Sequence, residues 1–509
     1  IKPYLTPLLI AQNTGGETPE ELTTAFQTNA LEKISATQSN WVAIIDRVPQ
    51  EIKDTIASES LTGVGFDQYI QRSYKEASMA AQVVGFVGKN KEGDDAGYFG
   101  VEGALEKELQ GKSETETVAT DALGKKIGSV GFLNEEKLRG RDIVLTIRRD
   151  IQYMAETQLK QGMRRYGAKE GEVLIMNPHT GAILGWATYP NYNPQYFYAY
   201  PSEYYKNPSL ADMYEPGSTF KVLTVAAGID AGVITPETSC PRCSGPRNLG
   251  GYELKTWNEV YTPGITMNQG LAKSDNTAMI YIAELLGSER LLSYLTSFGI
   301  GQPIGIDMQE DTSTPFPEKL GVVELATTSF GQGIGTTSMQ LVRAVSAIAN
   351  TGQMVQPRII EGVIDTTTGE RIPARTTTLS TPISAQTATT VTEMMVNAAG
   401  HGEAQWTRSR THTVAGKTGT SQIAVQGGYD EDKTIASFVG FAPAYNPEFV
   451  MLVKLSEPTT STWASETATP LWYDIADQLF LLLNIPPDLD QNTVFDFTLP
   501  ASDSASVGD

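Results

Sequence analysis

The chain has 509 residues, which is long enough for two or more domains that each bury a substantial core. Aspartate and glutamate number 59 against 38 lysine and arginine residues, so the net charge at pH 7 is -21. This negative charge disfavours attraction to nucleic-acid phosphates or to anionic lipid, and we therefore exclude nucleic acid as a partner.

The amino-terminal part of the chain predicts a support domain. The first residue is Ile1, and the apolar run of residues 1–10 contains two prolines and is too short to cross a bilayer. We therefore expect a soluble ectodomain from which an upstream segment was removed. Residues 20–140 are polar and helix-prone and contain no cluster typical of catalysis, which predicts a non-catalytic domain over residues 1–140.

A second domain is predicted from residue 141. Residues 143–147 form a β-branched run typical of a strand, and residues 151–159 carry apolar side chains at helical spacing. Residues 173–176 and 182–186 are strand-like and flank a turn-rich connection, which predicts a hairpin.

The pair Ser218 and Lys221 predicts a nucleophile beside its base. A spacing of three residues places both side chains on one face of a helix. Pro216, Gly217 and the apolar run from Val222 predict that the serine lies in the first turn of a buried helix, where backbone N–H groups favour negative charge. Burial should lower the pKa of Lys221 so that a neutral amine accepts the serine proton. The alternative is a surface helix with a solvated lysine.

The two cysteines of the chain are Cys240 and Cys243. A zinc site would need two further ligands, and the three histidines form no ligand pair, so we predict no metal and no cofactor. Proline, glycine and serine surround the cysteines, which disfavours a thioredoxin-like redox site because that site opens a helix. We favour a local disulfide, with free thiols as the alternative.

A second candidate motif is Ser274-Asp275-Asn276, which lies between two predicted helices. A serine in such a connection can pass a proton during catalysis. The alternative is a helix cap, since these three residue types are preferred at caps, and both interpretations can hold together. Further along, the glycine-rich residues 329–335 follow no predicted strand and lack the spacing of a dinucleotide-binding loop, so no phosphate site is predicted there.

The third candidate motif is Lys417-Thr418-Gly419-Thr420, which follows a strand-like entry. Its glycine, with Gly416 before it, would let a substrate backbone approach the strand. The threonine hydroxyls can bind a terminal carboxylate, and Lys417 supplies positive potential. The alternative is a glycine-rich turn.

Three more strands are predicted near the carboxyl end of the second domain, at residues 413–415, 436–440 and 449–453. Strands from both ends of this domain, residues 141–486, would then bracket a mostly helical middle. That order predicts one sheet covered by helices and an α+β architecture. Residues 487–509 are acidic and polar, which predicts a flexible tail because they cannot bury enough apolar surface.

The three motifs, in this order, look like the signatures of the class B penicillin-binding proteins. The resemblance implies an antiparallel five-stranded sheet flanked by helices, as in penicillin-recognising serine transpeptidases and β-lactamases. It also implies that residues 1–140 form an elongated, dimerisation-like pedestal domain. Further stretches resemble the transpeptidase domain and the pedestal of that family: residues 177–184, 329–340 and 437–443 for the first, and residues 85–88 and 100–103 for the second.

The resemblance implies a peptidoglycan D,D-transpeptidase. Ser218 would attack the penultimate D-alanine carbonyl of a stem pentapeptide, expel the terminal D-alanine and pass the acyl group to an amine of a neighbouring stem. Lys221 would be the base for Ser218, Ser274 would relay a proton to the leaving group, and Asn276 would position the donor peptide. Penicillin and other β-lactams would mimic the donor and inhibit the enzyme.

The third motif would bind the substrate. By the same resemblance, Lys417, Thr418 and Thr420 would hold the carboxylate of the donor or of penicillin, with Gly419 part of the same substrate-binding stretch. The backbone N–H groups of Ser218 and Thr420 would form the oxyanion hole. The implied protein partner is a membrane-bound glycan polymerase. The implied location is the extracytoplasmic face of the bacterial inner membrane, with an amino-terminal anchor that this chain lacks.

Other functions fit parts of the pattern. A β-lactamase or β-lactam sensor would share the three motifs, but a class A lactamase would carry a Glu-x-x-Leu-Asn element between the second and third, and the chain has none there. A division or elongation scaffold with secondary catalysis is the other alternative. No Gly-x-Ser-x-Gly elbow occurs, which disfavours a Ser-His-Asp hydrolase, and no glycosyltransferase-like segment precedes the motifs, which disfavours the bifunctional class A penicillin-binding proteins.

Overall fold

The structure is a computed structural model that describes residues 18–35, 42–45, 48–66, 72–110, 140–309, 313–365, 368–425 and 428–489. The chain forms two compact units, one from residues up to 78 together with 192–203, and one from residues 79–191 together with those from 204 onward. Within the described ranges, no helix has both the length and the apolar character needed to cross a bilayer. The predicted boundary near residue 140 stays a prediction, and the predicted tail lies outside the described residues from 490 onward.

The first unit contains two largely exposed helices, α1 (Pro19–Ser35) and α2 (Gln50–Ser58), each of which buries one side chain. A capping box begins α1. Glu21 Oε2 accepts hydrogen bonds from the backbone N–H and the hydroxyl of Thr18, and Thr18 Oγ1 accepts one from the Glu21 N–H. The start of this helix is therefore held by local hydrogen bonds rather than by a core.

The second unit holds the catalytic-looking motifs and contains both helices and strands. Its helices are α3 (Ala81–Val84), α4 (Gly100–Ala104), α5 (Glu106–Leu109), α6 (Arg149–Tyr166), α7 (Pro208–Ala211), α8 (Lys221–Asp230), α9 (Met267–Ala272), α10 (Asn276–Ser297), α11 (Val322–Thr328), α12 (Ser338–Ala349), α13 (Ala385–His401) and α14 (Ala468–Leu482). Its strands are β1 (Phe86–Lys89), β2 (Asp95–Tyr98), β3 (Asp142–Leu145), β4 (Glu170–Met176), β5 (Ile183–Tyr189), β6 (Arg247–Leu249), β7 (Tyr252–Leu254), β8 (Met354–Val355), β9 (Ile360–Ile364), β10 (Arg371–Pro373), β11 (Thr378–Ser380), β12 (Ala415–Val425), β13 (Gly428–Ala442) and β14 (Phe449–Ser456).

Five strands form the central sheet in the order β12-β13-β14-β4-β5, and each neighbouring pair is antiparallel. In the register of this sheet, Val453 pairs with Phe438 on one side and with Val173 on the other. Strands β4 and β5 are the predicted hairpin, and β12 to β14 come from the carboxyl end of the domain. The predicted α+β fold with a five-stranded antiparallel sheet is therefore confirmed.

Side-chain alternation along the strands divides the interior into two hydrophobic cores. Val173 and Phe438 belong to the core that also contains buried residues of α6 and α14, whereas their neighbours Leu174 and Val439 belong to the core shared with α8, α10, α12 and α13. Successive strand residues point to opposite faces, so helices cover both faces of the sheet. Helix α8, which follows Ser218, lies in the larger core.

The cysteine loop leads into the second motif. The favoured disulfide between Cys240 and Cys243 is formed, and both residues are buried. Backbone hydrogen bonds tie the same loop to the start of α9, from Cys240 N to Ile265 O over 2.8 Å and from Met267 N to Thr238 O over 3.0 Å. Helix α9 ends two residues before Ser274-Asp275-Asn276, so this loop helps to fix the position of that motif.

Candidate active site

Ser218 lies in a short 3₁₀ turn (Gly217–Phe220), and α8 begins directly after it at Lys221. The serine is half-buried, whereas Lys221 is fully buried. The sequence predicts the serine in the first turn of a buried helix, and the structure places it in the turn that leads into that helix. Gly217 has a φ of +55°, and because a left-handed residue cannot extend a regular α-helix, the helical path does not continue back beyond Ser218.

The glycine-rich segment 329–335 supports the serine turn from behind. Gly217 N donates a hydrogen bond of 3.0 Å to Gly331 O. A β-carbon at Gly331, whose φ is +80°, would lie 2.2 Å from the Gly217 carbonyl oxygen, so glycine alone fits there. On either side, Thr224 Oγ1 donates to Ser329 O over 2.8 Å and Gly333 N donates to Glu215 Oε1 over 3.0 Å. The segment therefore positions the serine turn, a role that its sequence does not reveal.

The third motif packs against the first. A β-carbon at Gly419 would lie 2.7 Å from Thr219 Cγ2 and 3.1 Å from Pro216 O. On the other side of this contact, a β-carbon at Gly217 would lie 3.3 Å from Thr420 O. Gly419 therefore makes room for the protein's own serine turn, which holds Ser218 beside β12. That this glycine also contacts substrate stays a prediction.

Lys221 joins the first motif to the second. Its Nζ donates a hydrogen bond of 2.5 Å to Ser274 O and one of 3.1 Å to Ser274 Oγ. Ser274 is buried and adopts a left-handed backbone conformation with φ +55°, which is uncommon for a residue other than glycine. Strained conformations of this kind persist where the surrounding structure fixes them, and they cluster at functional sites. This geometry puts the Ser274 hydroxyl within reach of the lysine amine.

The surroundings of Lys221 favour its neutral form. The pKa of Lys221 is lowered to about 7, chiefly by burial and also by the nearby positive charge of Lys417, while Glu403 and Asp275 oppose the shift. A charged amine loses its hydration in this interior, and two lysines of like charge repel each other. The direction agrees with the sequence-based expectation. A neutral amine can accept a proton, so Lys221 is suited to act as a general base.

The second motif serves as a helix cap as well as a candidate catalytic element. Asp275 Oδ1 accepts hydrogen bonds from Thr277 N over 2.7 Å and from Ala278 N over 3.1 Å, which caps α10. Asn276 is half-buried, and its Nδ2 donates to Lys255 O over 2.8 Å. In the described part of the chain, the Asn276 Oδ1 accepts no hydrogen bond. It is therefore available to a peptide N–H of a ligand.

Lys417, Thr418 and Glu403 form a hydrogen-bonded chain at the start of β12. The buried Lys417 Nζ donates to Thr418 Oγ1 over 3.0 Å, and Thr418 Oγ1 donates to Glu403 Oε2 over 2.9 Å. Burial lowers the pKa of Lys417, and the carboxylate of Glu403 opposes that shift. Thr420 Oγ1 accepts a hydrogen bond of 3.1 Å from Ala464 N. No sequence motif identifies Glu403, which lies in the irregular segment after α13.

Two tryptophans are in contact with each other, one beside the second motif and one beside the third. The rings of Trp257 and Trp463 meet edge to face with their centroids 5.1 Å apart, and each side chain is roughly two-fifths exposed, at 45% and 41%. Trp257 Nε1 donates to Lys273 O, directly before Ser274. Trp463 precedes Ala464, which is bonded to Thr420. The pair therefore forms an apolar surface beside both motifs.

The structure thus brings the three predicted motifs into one site, although the catalytic and binding roles of the individual residues stay predictions. The sequence does not identify Gly331, Glu403 or the tryptophan pair, because their roles depend on neighbours distant along the chain. Across the ranges that the structure describes, no group of three or more histidine, cysteine, aspartate or glutamate side chains is arranged to hold a metal ion.

Comparison with protein families matches nearly the whole of the chain. A model of the penicillin binding protein transpeptidase domain matches residues 171–477, and a model of the penicillin-binding protein dimerisation domain matches residues 4–145. The first match contains all three motifs.

Relatives of the same kind align over most of their length. Stage V sporulation protein D of Bacillus subtilis is 31% identical over 450 residues, which cover 87% of this chain and 69% of that protein. Peptidoglycan D,D-transpeptidase FtsI of Escherichia coli is 26% identical over 459 residues, which cover 89% of this chain and 74% of that protein.

Solved structures show the same fold. The apo form of penicillin binding protein 3 from Mycobacterium tuberculosis has a TM-score of 0.71 and 27% identity, and the match covers 82% of this chain and 92% of that one. The complex of the same protein with ampicillin also has a TM-score of 0.71, with coverage of 82% and 91%.

Proposed function

Because the chain belongs to the class B penicillin-binding proteins, we propose that it is a serine-type peptidoglycan D,D-transpeptidase that β-lactams acylate and inhibit. The observation that carries this proposal is the buried amine of Lys221, which follows Ser218 by three residues and is hydrogen-bonded to Ser274. A neutral amine next to a hydroxyl is the arrangement that activates a serine in the absence of histidine.

Acylation begins with the hydroxyl of Ser218. Its oxygen attacks the carbonyl carbon of the penultimate D-alanine of a stem pentapeptide, and its proton passes to Lys221. The C–N bond to the terminal D-alanine then breaks. The leaving amine takes a proton that Lys221 gives up through Ser274, whose Oγ lies 3.1 Å from the lysine Nζ. The lysine is neutral again after this step, and the donor is held as an ester of Ser218.

We propose that the backbone N–H groups of Ser218 and Thr420 donate hydrogen bonds to the oxyanion of each tetrahedral intermediate. The close packing of Gly217 against Thr420 supports this assignment, because it brings the two backbones together. Donors fixed in advance stabilise developing charge without reorganisation. Strand β12 is also an outer strand of the sheet, so an extended donor peptide can lie along its free edge.

The donor carboxylate is assigned to Lys417, Thr418 and Thr420. The buried ammonium of Lys417 supplies the positive charge, and the threonine hydroxyls supply hydrogen bonds. The Thr418 hydroxyl already donates to Glu403, so carboxylate binding requires Thr418 to exchange that acceptor for the ligand. Asn276 is assigned to the donor backbone through its Oδ1.

The second half-reaction transfers the acyl group to an amine. The amine nitrogen of a neighbouring stem attacks the ester carbon, a C–N bond forms, and the C–Oγ bond of Ser218 breaks. One proton of the attacking amine passes to Ser218 Oγ through Lys221. Slow attack by water at this stage would give the long-lived penicillin adduct that distinguishes a transpeptidase from a β-lactamase.

A labelling experiment tests the proposal. The purified protein is incubated with fluorescent penicillin, the adduct is mapped by mass spectrometry, and its lifetime is followed by gel fluorescence. We expect a long-lived adduct on Ser218 that is absent from Ser218→Ala. Labelling at another residue, or no labelling of folded protein, overturns the assignment. Rapid penicillin turnover without a trapped adduct would favour a β-lactamase.

A second measurement separates the enzyme from a scaffold. A thioester analogue of the stem peptide is supplied, and release of the thiol is followed. We expect turnover by the wild type and none by Ser218→Ala, whereas a scaffold without acyl transfer would leave the thioester intact in both.

We also propose a location and a partner. The enzyme would act at the extracytoplasmic face of the bacterial inner membrane, where peptidoglycan is cross-linked, with residues 1–140 as a non-catalytic pedestal. A membrane glycan polymerase would supply the strands that it cross-links. The match of residues 4–145 to the dimerisation domain supports the pedestal. Cross-linking in intact cells followed by mass spectrometry tests the partner, and protease digestion of spheroplasts tests the location.

A further inference from the structure

A cavity of about 580 Å³ adjoins the second and third motifs. Its size falls in the range of sites that bind small ligands. Three chain segments contribute to its walls: the loop before α9, the connection between α9 and α10, and the segment that follows α13. The lining residues that matter below are Trp257, Val260, Lys273, Asp275, His401 and Glu403.

Glu403 connects this cavity to the third motif. Its Oε2 accepts the hydrogen bond from Thr418 Oγ1 over 2.9 Å, and that hydroxyl in turn accepts from Lys417 Nζ over 3.0 Å. The side chain is half-buried, and in the part of the chain that the structure describes it forms no ion pair. A partly buried carboxylate with one oxygen still unbonded provides a strong acceptor for a cationic donor.

The other charged groups of the cavity are already engaged or lie at its exposed rim. The Asp275 carboxylate caps α10 through Thr277 N and Ala278 N. Lys273 is exposed, and its Nζ donates to Thr262 Oγ1 over 3.2 Å. His401 is likewise exposed. The Trp257 ring adds a face of the kind that attracts ammonium groups. Among the described residues, the cavity therefore presents one carboxylate with an unbonded oxygen, that of Glu403, and positive charge at its exposed rim.

We propose that this cavity is the acceptor site of the transfer reaction, in which Glu403 binds the ammonium group of an acceptor peptide and takes one of its protons, so that the neutral amine attacks the ester and the proton is then released to solvent. Lys273 at the rim suits an acidic group of the same peptide. The inference rests on the proposed function, because an acceptor is required only if Ser218 carries a donor acyl group.

The test measures how one acyl-enzyme divides between two fates. The full chain is given the thioester stem analogue together with a tripeptide that carries one free lysine ε-amino group. Mass spectrometry then quantifies the amide product and the hydrolysed product. Their ratio does not depend on how fast the acyl-enzyme forms. Variants are Glu403→Gln, which removes the charge at constant size, and Glu259→Gln, a matched control that removes an exposed carboxylate of the loop before α9, outside the cavity lining.

We expect the ratio of amide to hydrolysed product to fall at least about tenfold in Glu403→Gln, the effect of losing one hydrogen bond to a charged group. Glu259→Gln should stay within about twofold of the wild type, as is usual for surface substitutions. An unchanged ratio in Glu403→Gln overturns the acceptor site. The same conclusion follows if the wild-type acyl-enzyme is hydrolysed but reacts with no amine. A wild type that forms no acyl-enzyme contradicts the proposed function instead.

A steric variant gives an independent result. Val260→Trp fills the cavity from its exposed side without altering any charge. We expect it to lower the same ratio at least about fivefold, because access to the cavity is reduced while Glu403 remains. Thermal unfolding of each variant confirms that it is folded. A normal ratio in this variant would show that the acceptor enters elsewhere and would overturn the assignment.

Discussion

Helices α1 and α8 are stabilised in opposite ways. Helix α1 has 17 residues and buries one of them, and its start is held by the capping box between Thr18 and Glu21. Helix α8 has ten residues, and the first eight, Lys221–Gly228, are all buried. A lysine in α1 keeps its water, whereas Lys221 loses it. The local sequence of each segment makes it helical. The surroundings of a lysine determine whether it is a hydrated positive charge or a neutral amine that can act as a base.

The largest difference between the two helices should appear in the acylation rate when a lysine of each is replaced by methionine. Lys221→Met should lower the rate constant for acylation by penicillin by about a thousandfold, because general-base and nucleophile activation are lost together. The fold should persist, since methionine fills a similar volume and buries no charge. Lys33→Met in α1 is the control and should acylate normally. Stopped-flow measurement with fluorescent penicillin checks both, and rapid acylation of Lys221→Met would point to another base.

The pH dependence of acylation should report the buried lysine. The pKa of Lys221 is lowered to about 7, chiefly by burial. The neutral amine is the active form, so the rate should rise about tenfold per pH unit below that value and level off above it. Rates measured from pH 5 to pH 9, with stability monitored at each point, check this prediction. A rate that still rises about tenfold per pH unit at pH 9 would contradict a lowered pKa and would mean that the Lys221 amine stays hydrated.

A substitution at the buried Gly419 should destabilise the protein, whereas the same substitution at the exposed Gly428 should not. A β-carbon at Gly419 meets Thr219 and Ser437 at 2.7 Å, whereas one at Gly428 in the adjoining strand meets nothing within 4 Å. Gly419→Ala should destabilise the protein by about 1–3 kcal/mol through overpacking and slow acylation, because the serine turn moves. Gly428→Ala should be neutral. Denaturant unfolding and penicillin labelling measure both, and equal behaviour would disprove the close packing.

The smallest effect is expected in the first unit. Thr18→Ala removes the cap of α1 and should cost about 1 kcal/mol of local helix stability. Hydrogen exchange at the first turn of α1 should therefore speed up about fivefold, while acylation by penicillin stays normal. Thr18→Ser keeps the hydroxyl and serves as the matched control. Unaltered exchange in Thr18→Ala would show that contacts other than the capping box hold this helix.

Local patterns predict the elements that carry the motifs. The apolar run after Ser218 predicts α8, and the turn-rich connection after residue 176 predicts the β4-β5 hairpin. The capping preference of Asp275 predicts the start of α10, and the structure shows that cap. These features depend on neighbours within a few residues, so the sequence contains the information directly.

Features that depend on distant neighbours are not predicted. Nothing near Gly331 indicates that its α-carbon lies against the backbone of Gly217, and nothing near Glu403 indicates a hydrogen bond to Thr418. Nothing near Gly419 indicates that Thr219 packs against it, and its predicted contact with a substrate backbone stays a prediction. Each of these contacts forms between segments that are far apart in sequence. The periodicity of a local segment carries no information about such contacts.

The two tightly packed glycines limit how this enzyme can adapt to antibiotics. At Gly331 and Gly419 any side chain would collide with the chain's own backbone or with Thr219, so mutations at these positions destroy the nucleophile's support before they can exclude a drug. Resistant lineages should therefore carry replacements at the partly exposed tryptophan pair, Trp257 and Trp463, where a changed side chain meets solvent. Laboratory selection for resistance should yield substitutions at these tryptophans and none at Gly331 or Gly419.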